Sequence, residues 1–374
     1  MPVATGAVIA AIVEELAPLE LAEPWDNPGW QLGDPRAPVE KVLLCLDVGR
    51  EVVKEAGQKG AQLILTHHPL FFKGMKSLRV DTPQGALAAE LLRLGIGVYA
   101  AHTNLDRARL GVSDALAKIL GLESTEVLVP AEERYYKLVV FVPVEHVEAV
   151  REALGAAGAG WIGNYSHCTF GVEGTGTFLP LEGTSPYIGR QGVLERVREV
   201  RLETVVPSAL VEKAVRAMLE VHPYEEVAYD LYPLANRFKP SLGLGRVGVL
   251  PEAVPLRNFA GRVREALGLG AVRWAGEEGR PVRRVAVCGG AGGELWKEAL
   301  AARADVLVTG DVSYHTARDM LAAGLAFVDA GHFGTERAVL PLLKELLARA
   351  LEERGLAVDL LLSEGEKDPF KYAV

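Results

Sequence analysis

From Lys41 onward the chain alternates short runs rich in Val, Leu and Ile with longer segments of mixed polarity: KVLLCLDV, REVVKEAGQKG, AQLILTHHP, QGALAAELLRLG, IGVYAAHTNLD and VSDALAKILGL. Short apolar runs read as strands buried on both faces, and segments with helical apolar spacing read as the helices between them. The alternation predicts βαβ units carrying a largely parallel sheet, with functional side chains at the carboxyl ends of its strands. It returns after residue 236 in RRVAVCGGAGG, ELWKEALAARA, DVLVTGD, YHTARDMLAAG, LAFVDAGHFGTE and LPLLKELLARALEERG. The two outer parts are therefore expected to be halves of one α/β layer structure.

Between them the pattern changes. A phrase repeats, VPVEHVEAVREAL from Val142 and VPSALVEKAVRAML from Val206, each with proline near a helix start. YSHCTFGVEGTGTFLPL reads as strands around a Gly-rich turn, and EEVAYDLYPL supplies a final strand. The order β-α-β-β-α-β predicts a ferredoxin-like domain inserted into the α/β unit. The expected boundaries are 1–130, 131–236 and 237–374, in keeping with a chain of 374 residues that exceeds one typical core.

Composition narrows the function classes. The net charge is −9, with both signs interspersed, so no basic track for nucleic acid is visible. The amino-terminal segment MPVATGAVIAAIVEELAPLE has no basic stretch before its apolar residues and is interrupted by Glu14, Glu15 and Glu20. It predicts an amphipathic helix and not a signal peptide, no run is long enough to span a bilayer, and the cytoplasm is the expected location. Cys45, Cys168 and Cys288 form no C-x-x-C pair, and Cys45 and Cys288 sit in strand-like runs where cysteine is usually a small buried hydrophobe.

The chemistry-bearing residues gather at strand ends. His67 and His68 follow QLILT, His102 follows GVYAA, and His332 follows LAFVDAG; Asp106 and Glu336 lie shortly after two of these ends. Imidazoles and carboxylates converging from several strand termini suit a hydrolytic metal site. Taken singly, each has a plainer reading: a turn histidine before proline, a satisfied core histidine, a helix-end pair. His332 and Glu336 are four apart and share a face if the segment enters a helix, although Pro341 requires a boundary or distortion there. Neighbouring side chains on a strand point to opposite faces, so His67 and His68 serve one site only if the strand has ended. Pro69 disfavours a helix at His68 and breaks regular pairing, and the two rings are expected to settle on neighbouring metals.

Other features are weaker. CGGAGGE (288–294) lacks the endings of a P-loop and of a dinucleotide loop, and reads as a tight strand-to-helix turn that forms a wall of the site. Asp311 and His315 are i, i+4 neighbours and read equally as an orienting pair or as a helix start with a surface histidine. His222, followed by Glu225 and Glu226 in VHPYEEVAYD, reads as a turn residue, and His146 and His167 have no evident partner.

The ordered set WDNPGWQLGD, THHPLFF, HTNLD, VAVCGGAGG, GHFGTE and DPFKY resembles the NIF-three-like family, whose members are described as dinuclear-metal hexamers and GTP cyclohydrolase 1 type 2 homologues. The resemblance covers both outer parts, and VHPYEEVAYDLYPL looks like the CutA/PII-like insertion of longer bacterial members. The implied fold is an α/β NIF-three-like unit in two parts with an inserted ferredoxin-like, CutA/PII-like domain. The family's metal ligands fall on His67, His68, Asp106, His332 and Glu336; Pro28-Gly29-Trp30 departs from the family's usual flanks around the glycine. What the resemblance implies is a toroidal homohexamer with two divalent metal ions per subunit, of Zn, Mn, Fe or Co type.

The activity so implied is metal-dependent hydrolysis, with opening of the GTP imidazole ring as the candidate. Asp106 or Glu336 would bridge the ions, and His102 would act as general acid or base. Two other functions fit the same residues: a metal-stabilised ring that binds a metabolite or protein without catalysis, and a ring that cleaves phosphodiesters of nucleic acid.

Overall fold

The computed structural model describes residues 4–74, 77–131, 134–163, 165–236 and 241–371. The chain divides into two compact units, one formed by Met1–Ala131 with Ser241–Val374 and one by Glu132–Pro240. The expected boundary between 236 and 237 opens onto residues outside those described.

Along the chain the first unit begins with strands β1 (Gly29–Leu32), β2 (Lys41–Cys45), β3 (Leu63–Thr66), β4 (Gly97–Ala100) and β5 (Glu123–Pro130). The second unit holds β6 (Tyr135–Pro143), β7 (Thr169–Phe178), β8 (Glu195–Pro207) and β9 (Tyr229–Leu234). The first unit resumes with β10 (Gly243–Pro255), β11 (Arg273–Ala275), β12 (Pro281–Val287), β13 (Val306–Thr309), β14 (Ala326–Asp329) and β15 (Asp359–Leu362).

In the first unit these strands form two mixed sheets, where the sequence pattern predicts one layer. One has the order β1-β4-β3-β2-β15 and the other β11-β14-β13-β12-β10-β5. Strands β2, β3, β4 and β15 run parallel, as do β12, β13 and β14, while β1, β5, β10 and β11 pair antiparallel. In the second sheet β10 pairs with β12 on one side and with β5 on the other. Each part lends the other a strand: β5 of the amino-terminal part pairs with β10, and β15 of the carboxyl-terminal part pairs with β2.

Both faces of each central strand are buried, which explains the unbroken apolar runs. Val42, Leu44, Leu63 and Leu65 pack under helices Gly6–Leu16 and Val339–Glu353, while Leu43, Cys45 and Ile64 pack under Arg50–Lys59 and Pro83–Leu94. Each such side chain contributes about 1.5–3 kcal/mol of burial. Helix Val112–Ile119 feeds both cores, with Val112 and Ala115 in the first and Leu116 and Ala117 in the second.

At that helix sits a buried ion pair. Arg246 on β10, 3% exposed, donates from Nε and Nη2 to the two Asp114 oxygens at 2.8 and 2.6 Å. Its remaining N–H groups reach the carbonyls of Gly243, Gly245 and Ala108 at 2.8, 2.8 and 3.1 Å. With every donor direction used, the pair joins the second sheet to the turn after helix Thr103–Arg107.

The second unit has the order β7-β8-β6-β9, all antiparallel, with helices Val147–Ala156 and Val211–Val221 packed on Leu138, Val140, Leu202 and Val206. This is the ferredoxin-like arrangement. The repeated phrases occupy equivalent places in it. Each closes a strand at a proline, Pro143 or Pro207, makes a short 3-10 turn and enters its helix.

The segment after β15 is tied back by Glu55 of helix Arg50–Lys59. Its carboxylate accepts from Ser363 Oγ at 2.7 Å, the Gly365 N–H at 2.9 Å and Lys59 Nζ at 2.7 Å. Burial raises the acid's pKa, but these bonds outweigh it and hold Glu55 at about 2, below the ordinary 4.5. A carboxylate so lowered contributes stability that is complete above pH 4.5 and lost as pH falls through about 2. We predict that Glu55→Gln costs about 1.5–3 kcal/mol at pH 7 in denaturant unfolding, and that the gap from wild type narrows steadily below pH 4.5.

Candidate metal centre

Strand β3 ends at Thr66, so His67 and His68 leave the alternation of the sheet. Their backbone N–H groups still bond Cys45 and Leu46 carbonyls at 3.1 and 2.8 Å, and the rings lie side by side with centroids 5.0 Å apart. The imidazoles do not point to opposite sides. His67 Nδ1–H donates to the Ala101 carbonyl at 2.8 Å, and His68 Nδ1–H donates to Asp47 Oδ1 at 2.9 Å.

His102 ends the run after β4 and precedes the short helix Thr103–Arg107, which carries Asp106. Asn104 locks this turn, accepting from the His102 N–H at 2.8 Å and donating to the Ala17 carbonyl at 2.7 Å. His102 Nδ1–H donates to Asp26 Oδ1 at 2.8 Å, and Thr103 bonds the other Asp26 oxygen through its N–H and hydroxyl. Burial raises the Asp26 acid, yet these bonds outweigh it and keep the carboxyl low; burial and the neighbouring His67 lower His102.

The third contribution comes from after β14. Gly331, at φ +73°, turns the chain into helix His332–Arg337, which sets His332 Nε2 3.1 Å from Glu336 Oε1. Pro341 falls in the first turn of the following helix, Val339–Glu353, where its missing N–H leaves no bond unmade. His332 Nδ1–H donates to Asp311 Oδ2 at 2.7 Å. Asp311 thus orients His332 and not His315, and it holds a left-handed backbone (φ +53°) to do so. The cap of the helix that carries His315 is Ser313.

Four histidines therefore share one design. Each Nδ1–H is spent on a carbonyl or carboxylate, which leaves Nε2 as the acceptor facing inward. Among the described residues, ligand-type atoms of His67, His68 and His102 lie within 4.8 Å of one another, as do those of His68, His332 and Glu336. His67 (2% exposed) and Glu336 (4% exposed) carry atoms without a hydrogen-bond partner: Nε2 and Oε2. His67 Nε2 stands 3.7 Å from Asp106 and 3.8 Å from Glu336, and the 3.0 Å approach of His68 Nε2 to Glu336 Oε2 lacks bonding direction.

Buried donors that converge without bonding each other fit a cation, whose charge would satisfy all of them. The proton distribution reports the same strain. Burial pushes Asp106 up to about 6, despite the nearby His67. Burial lowers His68, but Asp47 and Glu336 outweigh it and raise the ring to about 10, while Glu336 is the main cause that lifts His332 to about 9. Mixed imidazole and carboxylate donors suit first-row divalent ions.

The glycine loop forms a wall, as its sequence implies. A Cβ on Gly290, at φ +62°, would lie 2.2 Å from Glu336 Oε1. Its N–H bonds Thr335 Oγ1 at 3.0 Å, and Thr309 holds the Gly292 N–H at 2.9 Å. Sequence reasoning passed over Asp26, Asp47 and Glu366. Asp26 lies in WDNPGWQLGD and Asp47 directly follows the β2 run, while Glu366 accepts the Leu46 and Asp47 N–H groups and so fixes the residue that orients His68. His222 is a turn residue, accepting the Tyr224 N–H at 3.2 Å and donating to the Phe141 carbonyl at 3.1 Å. Cys45 and Cys288 are buried free thiols.

No helix of the described residues is long and apolar enough to cross a membrane. Residues 4–369 match the family described as Duf34/NIF3 (NGG1p interacting factor 3). A Halalkalibacterium halodurans protein named GTP cyclohydrolase 1 type 2 homolog is 46% identical over 373 residues, covering all of both chains. The Bacillus subtilis protein of that name is 43% identical over 372 residues, covering 98% of each. A solved Bacillus cereus protein related to NIF3 superposes with a TM-score of 0.91 at 45% identity over the whole of both chains. On this match along its length, the chain belongs to the Duf34/NIF3 family.

Proposed function

We propose that the protein is a dinuclear-metal hydrolase, with His67, His68, Asp106, His332 and Glu336 as ligands to two divalent ions. The carrying observation is the pair of buried, unpartnered atoms, His67 Nε2 and Glu336 Oε2, at the meeting point of three strand ends. Divalent ions held there supply Lewis-acid activation of water and of the bond under attack.

The residues of the chain do the rest. Glu336 sets one oxygen toward His332 and the other toward His68, the placement expected of a bridging carboxylate. His102 keeps Nε2 toward the cluster and is neutral at pH 7, so it accepts a proton there while Asp26 stabilises the imidazolium. A cavity of about 650 Å³ opens beside His68 and His332, and Arg273 and Lys371 bring positive charge to its acidic lining. That volume admits a nucleotide. GTP is the candidate substrate because the relatives bear the name GTP cyclohydrolase 1 type 2 homolog. A homohexamer is the proposed assembly, and a solution mass six times that of the chain tests it.

Metal analysis after gentle purification is expected to give two equivalents per chain, lost in His68→Ala and Asp106→Ala, with hydrolysis of GTP, cyclic nucleotides or phosphodiesters lost in parallel. No stoichiometric metal after supplementation with Zn, Mn, Fe or Co would overturn the site; metal without turnover on any substrate would overturn the hydrolase and leave a binding ring. Asp47→Asn, which touches the orienting bond alone, is predicted to weaken metal affinity about 10–100-fold in chelator competition. Gly290→Ala is predicted to displace Glu336 and lower metal occupancy while the far-ultraviolet circular dichroism stays unchanged.

A further inference from the structure

The second unit contains a cavity of about 400 Å³ that the metal chemistry does not use. Phe178 on β7, Tyr187 in the following loop and Tyr224 after helix Val211–Val221 wall it. The Phe178 and Tyr224 rings meet edge to face at 5.8 Å, and Tyr187 and Tyr224 lie 6.4 Å apart. The loop is tied over the cavity by the Ser185 N–H, which donates to Glu225 Oε1 at 2.9 Å, and by the Tyr187 hydroxyl, 2.9 Å from His146 Nε2. VHPYEEVAYD thus supplies Tyr224, Glu225 and Glu226 to one cavity.

Inside it lies Glu199 of β8, 7% exposed. Its Oε1 accepts from Tyr224 Oη at 2.8 Å, the one hydrogen bond to this carboxylate among the described residues. Across from it β7 carries Gly176, where a Cβ would come within 2.0 Å of Oε2. The glycine leaves room for the carboxylate. No Lys or Arg lines the cavity. Glu199 lines the cavity, its Oε2 makes no hydrogen bond among the described residues, and no basic side chain of the lining stands against it, so a cation that enters the cavity meets an unneutralised carboxylate. Of the three glutamates that line the cavity, Glu225 and Glu226 are exposed and Glu199 alone is buried; a single buried carboxylate among aromatic faces suits an ammonium group attracted to both charge and π-face better than a hard metal ion, which seeks several oxygens at once.

We infer that this cavity of the ferredoxin-like unit binds an organic ammonium ion with an apolar body, its charge beside Glu199 and its body against Phe178, Tyr187 and Tyr224. The volume is that of a small-molecule site. The plainer account, in which Glu199 only props Tyr224, gives no reason for charge-selective binding.

Isothermal titration of the full chain with phenethylammonium, and with phenethyl alcohol as its neutral isostere, tests this. Saturable binding of the amine is expected, at least about tenfold tighter than the alcohol, with Glu199→Gln removing that preference. Tyr187→Ala, at the half-exposed mouth, keeps Glu199 and its fold intact and is expected to weaken the amine at least about threefold. No saturable amine binding up to about 10 mM, equal affinity for the alcohol, or unchanged affinity in either variant would overturn the inference. Metal content, measured on the same samples, is expected to stay at the wild-type level.

Discussion

The bond between Arg246 and Asp114 is the joint on which the candidate metal centre depends. His67, His68, His102 and Asp106 follow strands of the first sheet, whereas His332, Glu336 and the glycine loop follow strands of the second. A site assembled from two sheets keeps its geometry only if the sheets cannot slide. Apolar packing along helix Val112–Ile119 is weakly directional, but a guanidinium fork with every donor direction used allows one register. Removing Asp114 would strand the buried Arg246 charge, at a cost of about 3–5 kcal/mol.

The centre itself holds groups that an ordinary core would not tolerate. Its imidazoles are fixed from behind by Ala101, Asp47, Asp26 and Asp311, so they cannot rotate to satisfy one another. Rigidity there is what leaves Nε2 of His67 unbonded, because a looser ring would turn toward a carboxylate. The same arrangement raises the proton affinity of His68, His332 and Asp106 above that of the free side chains. A metal ion at these atoms would thus compete with protons for them.

Much of this was legible in the sequence, and what was not has physical causes. Doubly buried strands such as KVLLC and LVT announce themselves through continuous apolar runs, and the repeated VPVEH and VPSAL phrases correctly marked equivalent strand-to-helix turns. The division into two sheets was hidden, because the edge partners of β10 are set by antiparallel pairing across the inserted unit, which no local period encodes. Ligand-type residues stood out by their place at strand ends. Their orienting carboxylates did not, since Asp26 reaches His102 across 76 positions and an aspartate in a loop looks like any turn residue. Asp311 is visible in the sequence only as an orienting partner of His315 or as a helix start, whereas its left-handed backbone aims it at His332. Arg246, inside the apolar run GLGRVGVL, carried a signal that was available: a charge in a buried strand requires a partner.

The tie between Glu366 and the backbone of Leu46 spans 320 positions of the chain, and β15 reaches β2 over a similar distance. Contacts of such long range close last in folding, because loop entropy must be overcome before they gain anything. On the ribosome, the first sheet therefore waits with an open edge while the ferredoxin-like unit, whose strands pair only among themselves, is free to fold on its own schedule. The N–H groups of Leu46 and Asp47 are fastened only when that late segment arrives, so the full set of bonds that orients His68 waits for residue 366.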